Sequence, residues 1–250
     1  GDGVFETAKV EHGVPFALTR HLARLAASAH GLGLVPPTDA DLRTAVAATL
    51  DANPRAATEP VRLRITLTGG TGPLGSERGD GSPTLVVALA PLKRWAPTAK
   101  VAVVPWTRNE RAATAGLKTT SYADNVVALA RARSAGATEA LVANTVGDLC
   151  EGTGSNVFLV LDGELVTPPL SSGCLAGVTR ALVLEWTGAV ERDLPMAALQ
   201  WADEVFLTSS TRDVQGVHAV DDHEYAGAPG PVTAEAVKVF AERSAADVDP

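Results

Sequence analysis

Residues 61–68, VRLRITLT, alternate apolar and polar side chains with a period of two. This period is typical of a β-strand that buries one face and leaves the other face accessible. Such a strand must lie in a sheet with an apolar core on one side, so neighbouring residues must supply further strands and covering helices. We therefore predict a small α+β unit with a mainly antiparallel sheet in the first half of the chain.

The segments around this strand supply the other elements of the unit, residues 1–105. Thr19 and Thr38 are predicted N-caps of two helices, because a hydroxyl there can accept a hydrogen bond from the first turn. The further predicted elements are a hairpin over 4–10 and 15–18, a glycine-rich loop at 68–83 and strands at 84–90 and 100–104.

Residues 106–117 are polar and irregular, and we predict that they link the small domain to a larger domain, residues 118–250. The order of strands and helices lacks the regular rhythm of a doubly wound parallel sheet, so the predicted fold class is α+β. The predicted elements of the larger domain are helices at 121–135, 178–186 and 232–245, strands at 139–143 and 204–208, and a hairpin at 156–167.

The composition limits the partners of the chain. A formal net charge of −8 with scattered basic residues argues against binding to nucleic acid or to an anionic membrane surface. No apolar run approaches the roughly 18–20 residues of a membrane-spanning helix. Cys150 and Cys174 are too few for a disulfide framework and lack the companions of a zinc site. We therefore predict two reduced thiols, a cytoplasmic location and no metal.

Two segments could carry chemistry. Lys118 stands in GLKTTSY, between the predicted linker and the next helix, where clefts form. A lysine that forms a Schiff base must be partly desolvated, so that its amine is neutral enough to attack. Glu151 stands in CEGTGSNVF, where an acidic side chain before an apolar strand can lie at the floor of a cleft. Taken singly, a surface lysine and a polar turn are the commoner interpretations.

Two later segments fit the binding of an anion. SSGCLAGVTR, residues 171–180, runs directly into a predicted helix, whose first N–H groups and adjacent glycine form a ready phosphate site. EVFLTSSTRDV, residues 204–214, places four hydroxyl side chains in a row at the end of a strand. Each segment alone also fits a helix start without a ligand or a solvated turn.

Together and in this order, the segments resemble the class IV aminotransferases, the pyridoxal-phosphate (PLP) enzymes of fold type IV. The matching segments cover nearly the whole chain: GDGVFET, HLARL, GLKTTSYADNVVALA, EGTGSNVF, TPPLSSGCLAGVTR and DEVFLTSSTRDV. The resemblance implies a two-domain fold like that of the D-amino-acid aminotransferases, PLP as the cofactor and a homodimer. Members normally carry one or two strands before GDGVFE, and the chain, which begins at Gly1 without Met, is expected to lack them.

The resemblance also implies roles for single residues. Lys118 holds PLP as a Schiff base and moves the substrate proton, while Glu151 keeps the pyridine nitrogen protonated so that the ring accepts electrons. Arg24 contacts the cofactor phosphate. The other implied cofactor-binding residues are Asn156, Leu175, Gly177, Val178, Thr179, Ser209 and Ser210.

The substrate is the least constrained feature. Arg64 and, with less support, Arg62 match the strand position of a substrate-carboxylate arginine, and Tyr122 is a further candidate for substrate binding. The GLK segment and its short polar continuation resemble the aminodeoxychorismate lyases, so we predict a lyase that gives 4-aminobenzoate and pyruvate. The alternatives are an aminotransferase of branched-chain amino acids, D-amino acids or (R)-amines, a non-catalytic paralogue, and a cofactor-free hydrolase with a cysteine nucleophile.

Overall fold

The computed structural model describes residues 2–250, which form two compact units. The first unit contains the described residues up to Lys93, together with Leu117–Ser121 and Asp247–Pro250. The second unit contains Arg94–Gly116 and Tyr122–Ala246. Each unit combines helices with a sheet, which confirms the predicted α+β class.

The first unit is an antiparallel sheet with helices packed on one face. Its elements are β1 (Gly3–Glu11), β2 (Val14–Pro15), α1 (Leu18–Gly31), α2 (Asp39–Asp51), a 3-10 turn (Pro54–Ala57), β3 (Val61–Thr68) and β4 (Thr84–Pro91). The sheet order is β2-β1-β3-β4. The apolar side chains of β3 are buried in one core with those of α1 and α2, whereas its arginines and threonines are partly or fully exposed. The predicted alternation is therefore confirmed, and the polar face of β3 is available to carry function.

Of the two predicted N-caps, Thr38 is confirmed and Thr19 is wrong. The Thr38 hydroxyl accepts a hydrogen bond from Asp41 N at 3.2 Å at the start of α2. Helix α1 begins earlier, after Ala17, whose backbone is left-handed (φ 52°) and which offers no capping side chain. Thr19 lies within the first turn, and its N–H donates to Asp249 Oδ1 at 2.8 Å. A residue 230 positions away thus caps α1, and no local pattern could have indicated it.

The second unit is built on a mixed sheet. Its elements are β5 (Thr98–Arg108), α3 (Ala123–Ser134), β6 (Glu139–Asn144), β7 (Leu149–Gly152), β8 (Asn156–Leu161), β9 (Glu164–Thr167), α4 (Val178–Thr187), β10 (Val190–Glu191), β11 (Glu204–Ser209), β12 (Asp213–Val220), β13 (His223–Glu224) and α5 (Pro231–Ala246), with 3-10 turns at Leu170–Ser172 and Met196–Gln200. The strand order is β10-β9-β8-β11-β12-β5-β6-β7, with β13 paired to β12. The pairs β12–β5, β5–β6 and β9–β10 are parallel, and the other pairs are antiparallel.

Most predicted elements of the second unit are present, and the β8–β9 hairpin turns at Asp162-Gly163 as expected. Strand β5 is predicted as part of the small domain but belongs to the second unit. It is also longer than predicted: it runs from Thr98 to Arg108 and so enters the segment predicted as a linker. Strands β7 and β12 have no counterpart in the sequence prediction. None of the described helices has the length and apolar character needed to span a bilayer.

Candidate active site

Lys118 lies in a short segment, Leu117–Ser121, that pairs with β1 through an isolated bridge between Thr119 and Val4. Phe5 N donates to Lys118 O at 3.0 Å, and Lys118 N donates to Ser28 Oγ of α1 at 3.1 Å. The sequence predicts Lys118 as the first residue of the larger domain. The hydrogen bonds to β1 and α1 instead place it in the first unit, with its backbone fixed on both sides.

The Phe5 ring brings Lys118 together with Arg64. Lys118 Nζ lies 4.4 Å from the ring centroid and Arg64 Cζ lies 3.8 Å from it, so both side chains lie against one aromatic ring. Arg64 Nε also donates to Thr66 Oγ1 at 3.2 Å, which fixes the guanidinium along β3. Arg62, two residues earlier on the same face, is exposed. A guanidinium beside this lysine suits a substrate that carries a carboxylate.

Arg24 is held by a buried carboxylate that sequence reasoning missed. Glu6 Oε1 and Oε2 accept hydrogen bonds from Arg24 Nε and Nη2, both at 2.8 Å, and Glu6 Oε2 lies 2.7 Å from His21 Nδ1. Burial alone would raise the pKa of Glu6, but the charge and hydrogen bonds of Arg24, with the His21 contact, outweigh burial and lower that pKa well below its usual range. Helix α1 thus carries both Arg24, the predicted phosphate ligand, and Ser28, which contacts the Lys118 backbone.

Glu151, on β7 in the second unit, is also buried and held on two sides. Its Oε2 accepts a hydrogen bond from Leu175 N at 2.9 Å, and its Oε1 lies 3.1 Å from Arg108 Nε. The Leu175 carbonyl in turn accepts a hydrogen bond from Asn156 Nδ2 at 2.9 Å. Three predicted cofactor-binding residues therefore meet at the backbone of Leu175. Arg108 has no counterpart in the sequence prediction, because nothing in its segment marks it as the partner of Glu151.

The start of α4 adjoins this cluster. Gly177 is its N-cap residue, without a side-chain cap, and the buried Val178 and Thr179 form the first turn. The first N–H groups of a helix lack partners within the helix and attract anions. A Cβ atom on Gly177 would lie 2.1 Å from Asn156 Oδ1, so the close packing here requires glycine. A phosphate fits this arrangement chemically.

A second buried acid braces the turn that follows Glu151. Glu139 accepts hydrogen bonds from Thr153 N at 3.2 Å and Ser155 Oγ at 3.2 Å, and from Arg212 Nη2 at 2.8 Å. Breaking a buried pair of this kind is costly, because the remaining charge loses its partner. The sequence signal for Glu139 is weak: it is an acid that opens an otherwise apolar strand.

The remaining predicted residues occupy less constrained places. Ser209 ends β11 opposite Asp213, and both Ser209 and Ser210 are half-buried. Tyr122 is half-buried at the start of α3. In the described part of the chain, no group of three or more His, Cys, Asp and Glu side chains is arranged to hold a metal ion.

The two cysteines are poorly suited to nucleophilic catalysis. Both are free thiols and both are buried. Burial raises the pKa of Cys150 far above its ordinary value, and the negative charge of Glu151 adds to the rise. Burial raises the pKa of Cys174 as well. Because the thiolate is the reactive form, these environments disfavour the cysteine-hydrolase alternative.

Comparison with known proteins gives one consistent result. The family profile described as "Amino-transferase class IV" matches residues 3–220. The D-alanine aminotransferase of Bacillus licheniformis is 30% identical over 242 residues, which cover 93% of this chain and 84% of the relative. The branched-chain aminotransferase of Thermoproteus uzoniensis, solved with norvaline, is 28% identical with a TM-score of 0.89, covering 96% of this chain and 84% of the other. The structure of a putative 4-amino-4-deoxychorismate lyase from Legionella pneumophila has a TM-score of 0.90 at 24% identity, covering 97% and 91%. At that identity, the last likeness concerns the fold alone.

Proposed function

Because the chain belongs to the class IV aminotransferase family, whose cofactor is PLP, we propose that it is a transaminase of amino acids with Lys118 as the Schiff-base lysine. One observation carries the proposal: Lys118 Nζ and the Arg64 guanidinium lie against the same Phe5 ring. An arginine can bind a carboxylate through two parallel hydrogen bonds. Arg64 therefore selects substrates that carry a carboxylate beside the reacting amine.

The proposed cofactor contacts come from the residues described around Arg24 and around Glu151. Glu151 would face the pyridine nitrogen, Leu175 would pack on the ring, and Arg24 would bind the phosphate in the orientation that Glu6 imposes. The first turn of α4 and the hydroxyls of the β11–β12 turn would complete the phosphate contacts. The residues at the start of α4 are Gly177, Val178 and Thr179, and those of the turn are Ser209 and Ser210. Asn156 would hold the loop before α4.

When bound, PLP supplies an electron sink for the negative charge that develops at the substrate α-carbon. Lys118 Nζ would take the proton from that carbon and pass it to the cofactor, which requires a neutral amine in a fixed position. The Phe5 ring and the two backbone hydrogen bonds of Lys118 fix that position. Tyr122 is proposed to contact the substrate.

The substrate of the transaminase is proposed to be D-alanine or a branched-chain amino acid, since relatives with these names match most of the chain. The lyase predicted from the sequence is the second candidate. The GLKTTSY segment favours it by its resemblance to the lyases. The same lysine and acid would serve either reaction. The cytoplasmic location inferred from the two thiols stays a prediction.

We also propose that the enzyme is a homodimer. Val126 and Val127 on α3 and Trp106 on β5 are large apolar side chains that are about half or more exposed. A second copy of the chain would cover them. Sedimentation equilibrium tests this directly: a monomer at micromolar concentration would contradict it.

The substrate proposal is tested with a panel of donors on wild type, R64Q and the control R62Q. The bound cofactor's absorbance is followed on addition of D-alanine, L-leucine, (R)-phenylethylamine or aminodeoxychorismate, and the last reaction is assayed for pyruvate and 4-aminobenzoate. We expect R64Q to lose reactivity toward amino acids by about 10- to 100-fold, because one charge-assisted contact is lost. R62Q should resemble wild type. Equal reactivity of R64Q and wild type with amino acids would contradict the role of Arg64, and wild-type release of 4-aminobenzoate would establish the lyase.

A further inference from the structure

Arg108 is a cation in direct contact with Glu151. Its Nε lies 3.1 Å from Glu151 Oε1, and the Glu151 side chain is only 10% exposed. Removing water around a carboxylate strengthens the field of a neighbouring charge on it. The position of Arg108 therefore governs the charge of Glu151 more than a surface arginine could.

A second contact fixes Arg108 in this place. Its Nη2 donates to Asn125 Oδ1 at 3.1 Å, and the amide of Asn125 donates to the carbonyl of Thr153, in the turn after Glu151. The Nε atom of Arg108 is buried and makes no aligned hydrogen bond. Its contact with Glu151 Oε1 is therefore one of charge rather than of a shared proton. The Arg108 guanidinium therefore acts on the Glu151 carboxylate through its charge.

A carboxylate that faces a pyridine nitrogen can share one proton with it in two ways. The proton lies on the nitrogen, with an ionised carboxylate, or on the carboxyl oxygen, with a neutral ring. Burial favours the second arrangement because it contains no charge. A guanidinium beside the carboxylate favours the first, because it stabilises the anion.

We propose that Arg108 is a positioning residue that acts through Glu151 and keeps the proton on the ring nitrogen of the cofactor. This inference rests on the proposed role of Glu151 and deepens it. Without Arg108, the proton moves toward the carboxylate, the ring becomes a weaker electron sink and removal of the substrate proton slows.

The test uses holoenzyme loaded with PLP that is ¹⁵N-labelled in the ring, with the nitrogen chemical shift read by NMR. We expect the shift of R108Q to move from the protonated toward the neutral pyridine value, and the rate of the half-reaction to fall about tenfold or more with little change in KM. R108K retains the charge and should lie closer to wild type. R111Q is the matched control, because the Arg111 side chain is 83% exposed and forms its ion pair with Glu110, at 3.7 Å.

An unchanged nitrogen shift in R108Q overturns the inference, even if the variant is slow. If R108Q does not fold, N125A provides the same test, since it removes the second anchor of Arg108 and keeps the charge. It should move the shift in the same direction by a smaller amount, and no movement overturns the inference. E151Q separates this inference from the proposed function. If E151Q leaves the nitrogen shift of the loaded enzyme unchanged, the proposed role of Glu151 itself fails.

Discussion

Replacing Glu6 by glutamine removes one charge from a buried cluster and changes its shape very little. Glu6 is 1% exposed and Arg24 13% exposed in their side chains, and two 2.8 Å hydrogen bonds join them. Removing one partner of a buried pair typically costs about 3–5 kcal/mol, because the other charge is left uncompensated. Glutamine retains one acceptor oxygen, so we expect a loss of roughly 3 kcal/mol in the free energy of unfolding.

Urea unfolding followed by circular dichroism measures this loss as a shift of the midpoint. The matched control is E11Q, which makes the same change at an exposed position of the same strand and should change stability by no more than about 0.5 kcal/mol. E6Q should also weaken PLP binding, because Arg24 loses its orientation. A stability of E6Q within 0.5 kcal/mol of wild type would refute the reasoning about the buried pair.

The dependence on pH gives a second check of the same cluster. The pKa of Glu6 is lower in the folded protein than in the unfolded chain, so the unfolded chain binds the extra proton more readily. The stability contributed by Glu6 is therefore fully present above the unfolded pKa of about 4.3 and is lost as pH falls toward the lowered folded pKa. The difference between wild type and E6Q should shrink as the pH falls below about 4. A constant difference in acid would contradict this assignment.

Three further outcomes are expected. G177A should lower stability by about 1–3 kcal/mol and weaken PLP binding severalfold, because the new Cβ would meet Asn156 Oδ1 at 2.1 Å; unchanged affinity by cofactor titration would argue against this packing. D249A should cost about 1 kcal/mol and increase hydrogen exchange in the first turn of α1, since it removes the side chain that caps that helix; exchange equal to wild type would contradict the cap. Cys150 and Cys174 should resist a thiol reagent in the folded protein and react fully in urea; rapid labelling of the native enzyme would show that burial does not protect them.

Local patterns in the sequence predict the elements that local forces determine. The two-residue period of 61–68 and the hydroxyl of Thr38 act over a few residues, and the structure contains the predicted strand and cap. The Asp162-Gly163 turn is of the same kind: both residues have positive φ, which a tight hairpin requires. Pattern and geometry agree wherever the stabilising contact lies within one segment.

Contacts between distant segments could not be predicted in this way. Glu6 lies 15 residues from His21, and the sequence alone gives no reason to pair its carboxylate with the following helix. The short strand β7 has no period to identify it, although it carries Glu151. Leu117–Ser121 has no pattern that indicates its partner, and only the structure shows its hydrogen bonds to β1. Residue types and their order led to the prediction of Lys118 and Glu151 as site residues, whereas their partners became apparent only in the structure.

The most direct measurement of the central claim is borohydride reduction of the enzyme after loading with PLP, followed by trypsin digestion and mass spectrometry. Reduction fixes the cofactor on the lysine that held it. A modified Lys118 resists trypsin, so the account predicts one labelled peptide, residues 112–131, in place of the separate peptides 112–118 and 119–131. A label on Lys9 or another lysine, or no label at all in protein that has bound PLP, would contradict the claim that Lys118 is the reactive amine.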